Sequence, residues 1–218
     1  MITKKFTTEF GGKTITAEFT NFAEQAHGSA LVRMGDTVIL ATAVISQNKR
    51  EGIDYFPLSV DYDERFYAAG MILGSRFVRR EGRPSEEAVL VSRLIDRGLR
   101  PLFNKKIRND VHVVALALSV DGENEPDVPA IIAASLALGT SSIPWDGPIG
   151  ACRIGRIEGK FVINPLRAEL ANSDFDMVVC GGVGELWDLS AEEHRQVVET
   201  AARQAAGRMV VFAGVYGD

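Results

Sequence analysis

Four strand-like runs open this chain, and two glycine-containing pairs hold them to a hairpin layout. Residues 5–10 and 14–19 both alternate, and Gly11-Gly12 between them supplies the positive φ values that a tight turn needs. Residues 29–34 and 37–45 are rich in β-branched side chains and flank Gly35-Asp36, a second hairpin signal. Residues 56–60 read as a further strand, so this part of the chain is expected to form a meander with an exposed polar loop at 46–54. Gly12-Lys13-Thr14 imitates the end of a P-loop, but Thr7 stands where that motif needs its first glycine, and the segment reads as a turn.

The pattern then changes. Residues 62–83 are weakly periodic and contain Gly70, Gly74 and Gly82, the profile of a long functional loop. Pro84 suits a first helical turn, Glu86 and Glu87 follow where the helix dipole favours anions, and a helix is expected to about Leu99, ended by Gly98 and Pro101. Ala88, Val91, Leu94 and Ile95 share one face of it, while Arg93, Arg97 and Arg100 form a stripe on another. Residues 111–120 are a nearly continuous apolar run of strand type. Asp127 is placed to cap a helix reaching about Leu138. Strands are expected at 149–157, 160–163 and 175–180, then a helix from Ala191 to near Gly207 and a strand at 209–213. The fold class is α+β, a mixed sheet with helices packed on it.

Composition narrows the function. With 218 residues, 46% of them hydrophobic, the chain can bury a core, and its apolar runs fall short of the roughly 20 residues that span a bilayer. A location in the cytoplasm, away from membranes, is expected. The two cysteines, Cys152 and Cys180, sit in apolar strand-like sequence with no partner at metal-ligand spacing, and read as buried free thiols. A net charge of −5 argues against a generic polyanion binder. Yet residues 75–103 hold seven arginines against four acids, so one basic feature sits on an acidic body. Arginine suits phosphate because its planar fork bonds in bidentate fashion and stays charged. Phe77 among Arg76, Arg79, Arg80 and Arg83 offers a stacking face beside phosphate contacts, as a single-stranded nucleic acid requires.

Gly74-Ser-Arg-Phe-Val-Arg-Arg-Glu-Gly-Arg-Pro-Ser-Glu86, then Ser92-Arg-Leu-Ile-Asp-Arg97 and Leu99-Arg-Pro-Leu-Phe103, resemble the first core domain of the polynucleotide phosphorylase family. Asp54-Tyr-Phe-Pro-Leu58, Tyr67-Ala-Ala-Gly70, Asn124-Glu-Pro-Asp127 and Gly147-Pro-Ile-Gly-Ala151 are similar to the same family in the same order. The resemblance implies a ribonuclease-PH-like fold at 1–180, a homotrimeric ring, and phosphorolysis of RNA from its 3′ end in mRNA degradation. It also implies single-stranded RNA bound by Phe77, Arg79, Arg80 and Arg83, and RNA or phosphate bound by Arg93, Arg97 and Arg100. Magnesium and inorganic phosphate are implied for the full enzyme. The family's catalytic carboxylates, lysine and serine-rich phosphate loop belong to its second core domain. In Asp174-Phe-Asp176-Met-Val178, the nearest equivalent here, valine takes the lysine's place, and both aspartates read as strand-entry and surface residues. Asp121, Glu123, Glu125 and Asp127 imitate a metal site but are explained by a strand-end loop and a helix cap. No catalytic or metal-binding residue is therefore assigned.

Residues 181–217 resemble instead a strand-helix-strand piece of the dihydrodipicolinate-synthase-like family, without that family's carboxylate-binding threonines or its Schiff-base lysine segment. A junction near Cys180 is expected, with 181–218 as an atypical tail. Two further readings stay open at this point: a single-domain phosphorolytic nuclease, and a non-catalytic oligomerisation domain.

Overall fold

A computed structural model describes residues 4–72, 74 and 82–182 of the chain. Both expected hairpins form, as β1 (Lys4–Phe10) with β2 (Lys13–Phe19), and β3 (Gly28–Met34) with β4 (Thr37–Lys49). β4 runs well past its expected end into the segment read as a polar loop, because Lys49 still pairs with Asn109 beyond an irregularity in the register.

β5 (Leu58–Glu64) overturns the meander. It lies beside β6 (Asn109–Ser119), not beside β4, and the β5–β6 pair is parallel. A parallel pair needs a crossover, which residues 65–108 supply through α1 (Glu86–Leu99). The sheet order is β1-β2-β3-β4-β6-β5, mixed as expected. Neighbours in sequence usually pair in space, and that default made the meander the natural expectation.

α1 starts two residues beyond Pro84. Ser85 is its N-cap, and its hydroxyl accepts the Ala88 N–H at 3.1 Å. Gly98 lies inside the helix rather than ending it. A β-carbon there would stand 3.1 Å from Cys180 Sγ and 3.2 Å from Ile149 Cδ1, so glycine lets α1 approach the second sheet closely. A 3₁₀ turn at Arg100–Leu102 finishes the helix.

α2 (Asp127–Gly139) packs with α1 on one face of the six-stranded sheet, around Ile39, Ala41, Val113, Ala115 and Ile131. Asp127 is its first residue and Pro126 its N-cap, so the expected aspartate cap is displaced by one position. Its carboxylate accepts the adjoining Val128 N–H at 2.7 Å and is otherwise turned toward arginine.

A second, antiparallel sheet has the order β8-β7-β9, from β7 (Ile149–Ile157), β8 (Lys160–Ile163) and β9 (Asp176–Gly182). The one-turn helix α3 (Arg167–Leu170) was not expected from the sequence. Cys180 pairs with Ala151 and Cys152 with Val179, so the two thiols point to opposite faces of this sheet and stay free. Burial, and to a lesser degree nearby Cys180, pushes the Cys152 thiol up to about 11.

Candidate nucleic-acid and phosphate site

One side of α1 from Glu87 to Arg97, the end of β5, the loop entering α2 and the facing strands β7 and β9 enclose a cleft of about 610 Å³. Leu90, Val91, Leu94, Val120 and Val178 make its apolar wall. Its charged lining comprises Glu64, Glu87, Glu125, Asp127 and Asp176 against Arg93, Arg97, Arg153 and Arg167. The cleft is therefore mixed in charge, and its chemistry depends on which charges are already paired.

Arg153 binds most of the acid. Its Nε and Nη2 lie 2.7 and 2.5 Å from the two oxygens of Asp176, and its Nη1 lies 3.0 Å from Asp127 and 3.8 Å from Glu125. Glu125 also takes Arg167 at 3.4 Å. Asp127 is held up at about 6, because burial disfavours its charge and the single guanidinium near it is shared with other carboxylates. Tyr62, fully buried on β5, donates its hydroxyl hydrogen to Glu64. Burial, followed by the Glu64 charge, raises the phenol far above its ordinary value.

Arg93 and Arg97 are different. Both are exposed on α1, both line the cleft, and among the described residues neither has a carboxylate within ion-pair distance. Arg100, expected as the third member of their stripe, is instead a strut. Its Nε and Nη2 hold Asp96 at 3.0 and 2.6 Å, and its Nη1 and Nη2 donate to the carbonyls of Phe56 and Leu58 at 3.2 and 3.1 Å. The i, i+4, i+7 spacing keeps Arg100 on nearly the same side as Arg93, but about two turns further along, at the end of the helix, where the carbonyls of Phe56 and Leu58 are within reach.

Arg83 is exposed just ahead of α1, while Phe77, Arg79 and Arg80 lie outside the described residues. Asp174 is a surface residue, paired with Arg156 at 2.6 and 2.8 Å. Asp176 is not merely a surface residue, because its grip on Arg153 makes it part of the cleft. The sequence did carry a signal for Arg153: a cation inside an apolar strand must meet a buried or half-buried acid. Glu64 and Arg167 had no such signal.

The loop over residues 121–127 is organised by hydrogen bonds. Asp121 accepts the N–H groups of Asp36, Glu123 and Asn124 and the side-chain amide of Asn124, all within 3.0 Å. Burial alone would raise its carboxyl, but these donors outweigh that and hold it well below the usual range. Among the described residues no three His, Cys, Asp or Glu side chains come together to hold an ion. With Asp127 and Asp176 turned to Arg153, the cleft's residues do not fit a resident magnesium ion.

A family model described as the 3′ exoribonuclease family, domain 1, matches residues 11–144, and the model for domain 2 of that family matches 147–197. The chain belongs to the 3′ exoribonuclease family. The division between the two matches falls where the six-stranded sheet and α2 give way to the three-stranded sheet. Among curated relatives, a polyribonucleotide nucleotidyltransferase of Heliobacterium modesticaldum is 53% identical over 176 residues, covering 81% of this chain and 25% of that one. One from Thermosipho melanesiensis is 45% identical over 216 residues, covering 96% of this chain and 31% of the relative. The chain thus spans about a quarter to a third of the length of these relatives. Solved structures share the fold at low identity: rice Rrp46 with a TM-score of 0.58 at 17% identity, covering 95% of this chain and 90% of that one. An Archaeoglobus fulgidus exosome chain, from a structure with RNA bound to the active site, gives 0.59 at 18%, covering 87% and 85%. The ribonuclease-PH-like α+β class is the observed fold.

Proposed function

We propose that this chain is the RNA-binding first core domain of a phosphate-dependent 3′-to-5′ exoribonuclease, a polyribonucleotide nucleotidyltransferase acting in cytoplasmic mRNA degradation. The observation that carries the reading is the pair Arg93 and Arg97: two cleft guanidiniums without carboxylate partners among the described residues, beside acids that Arg153 and Tyr62 already occupy. Free arginine forks over an apolar wall suit a phosphate joined to a sugar or base. Names and identities of the relatives support the same reading. In it, residues 1–180 form the core and 181–218 a separate tail. Phe77, Arg79, Arg80 and Arg83 guide single-stranded RNA inward, and Arg93 and Arg97 receive its phosphates. Three copies form the ring. Phosphate attack and its magnesium ion belong to a second core domain, since the described cleft has no carboxylate set free for a metal.

Titration of single-stranded RNA at several salt concentrations tests this. Replacing Arg93 and Arg97 by Ala should weaken binding and flatten the slope of log K against log salt by about 0.7 for each phosphate that is no longer neutralised. An unchanged slope would remove the cleft from the RNA path.

A further inference from the structure

Side chains two apart on a strand share one face of its sheet. Tyr62 and Glu64 of β5 pair with Ala115 and Ala117 of β6, so both lie on the inner face, the side that α1 covers. α1 runs against β5. Its C-terminal end meets the start of the strand, where Arg100 donates to the carbonyls of Phe56 and Leu58. Glu64, at the far end of the strand, shares the cleft with Arg93 and Arg97. Of the cleft's other carboxylates, Asp127, Asp176 and Glu125 are engaged by Arg153 or Arg167, and Glu87 stands exposed in the first turn of α1. Glu64 is held without being neutralised. The hydroxyl of buried Tyr62 donates to its Oε1, and among the described residues its Oε2 has no hydrogen-bond or ion-pair partner.

A carboxylate accepts hydrogen bonds and donates none, so beside a phosphate site it repels the phosphate and takes only O–H or N–H groups. We infer that Glu64 reads the ribose 2′-hydroxyl of RNA in this cleft, with Tyr62 as the residue that positions it. The inference rests on the RNA reading proposed above. A nucleotide brings three parts to the cleft. Its phosphate suits Arg93 and Arg97, and its base suits the apolar wall of Leu90, Val91 and Leu94. The sugar that joins them is served by neither, and its 2′-hydroxyl is the donor that separates RNA from DNA. Because Tyr62 fixes the carboxylate before the sugar arrives, little side-chain freedom is lost on binding.

Fluorescence anisotropy of a short single-stranded RNA and of its 2′-fluoro counterpart, with the full chain at one salt concentration, tests this. Fluorine leaves phosphates, bases and a ribose-like pucker in place but cannot donate a hydrogen bond. The wild type should prefer RNA at least about tenfold, the worth of one hydrogen bond to a charged group. Glu64→Ala, a change at an exposed position, should abolish the preference, and Tyr62→Phe should reduce it. Glu87→Ala removes the same charge from the same cleft, and should tighten both oligonucleotides while keeping the preference. If Tyr62→Phe weakens both oligonucleotides equally, Tyr62 is structural and its positioning role is overturned. Equal affinity of the wild type for the two, or a preference that survives Glu64→Ala, overturns the assignment of Glu64 and leaves the RNA reading standing. Failure of the wild type to bind either oligonucleotide overturns both.

Discussion

The Arg153 guanidinium lies 3.0 Å from the carboxylate of Asp127, but the same guanidinium also serves Asp176 and Glu125. One positive charge shared among three acids does not compensate fully for burying the deepest of them. Asp127 therefore binds its proton more tightly when folded, at about 6, than at the ordinary 3.8. The stability this contributes is fully present below about pH 4 and is lost as the pH rises through 6. Asp127→Asn has no such titration. Relative to it, the wild type should lose on the order of 3 kcal/mol of unfolding free energy between pH 4 and 7. Urea melts of both proteins across that range check the sign, and a difference independent of pH would contradict it.

Arg97 and Arg100, three residues apart on α1, should behave as different kinds of residue. Arg100→Ala breaks a bidentate ion pair and two bonds to carbonyls near β5, and should cost about 1.5–3 kcal/mol of stability. Its effect on the salt dependence of RNA binding should be nil. Arg97→Ala should do the reverse, leaving urea stability within about 0.5 kcal/mol of wild type while lowering the salt slope. Equal effects of the two on the slope would return Arg100 to the binding stripe.

Ser85 anchors the start of the helix that carries these arginines. Ser85→Ala should lower stability by about 1 kcal/mol, and Ser85→Asp should preserve it, since either oxygen acceptor can satisfy the Ala88 N–H. Thermal unfolding of the two variants side by side makes the comparison.

Gly35 turns at φ +61°, and a β-carbon there would meet Asn124 Nδ2 at 2.4 Å and Asp121 Oδ2 at 2.7 Å. Gly35→Ala thus adds a strained backbone to a collision with the hub of the 121–127 loop, and should cost more than about 2 kcal/mol. Because that loop leads into Glu125 and Asp127, RNA binding should weaken as well. Stability close to wild type would mean that the loop can move away from the hairpin at little cost.

Much of this architecture was legible because it is local. Gly11-Gly12 and Gly35-Asp36 marked their turns, and the period of residues 86–99 marked both the helix and its buried face, later seen in Ala88, Leu94 and Ile95. Where partners are distant the reading failed. Nothing near residues 58–64 says that their partner is β6, about fifty residues on, and nothing near Arg100 says that the carbonyls of Phe56 and Leu58 will be within reach. The site divides in the same way. Arg93 and Arg97 stood out through spacing, whereas Glu64, Arg153 and Arg167 joined them only through the crossing of β5, β7 and α3 around the cleft.

By itself, then, the sequence determined the hairpins, the arginine-bearing helix, the α+β class and the family, because turn chemistry, periodicity and ordered motifs are properties of neighbouring residues. Tertiary structure alone decided which arginines remain free. A guanidinium is available to phosphate only when no carboxylate or carbonyl has claimed it, and those claims are made by groups from about forty residues away, as for Arg100, or from the adjoining strand β9 and the start of α2, as for Arg153.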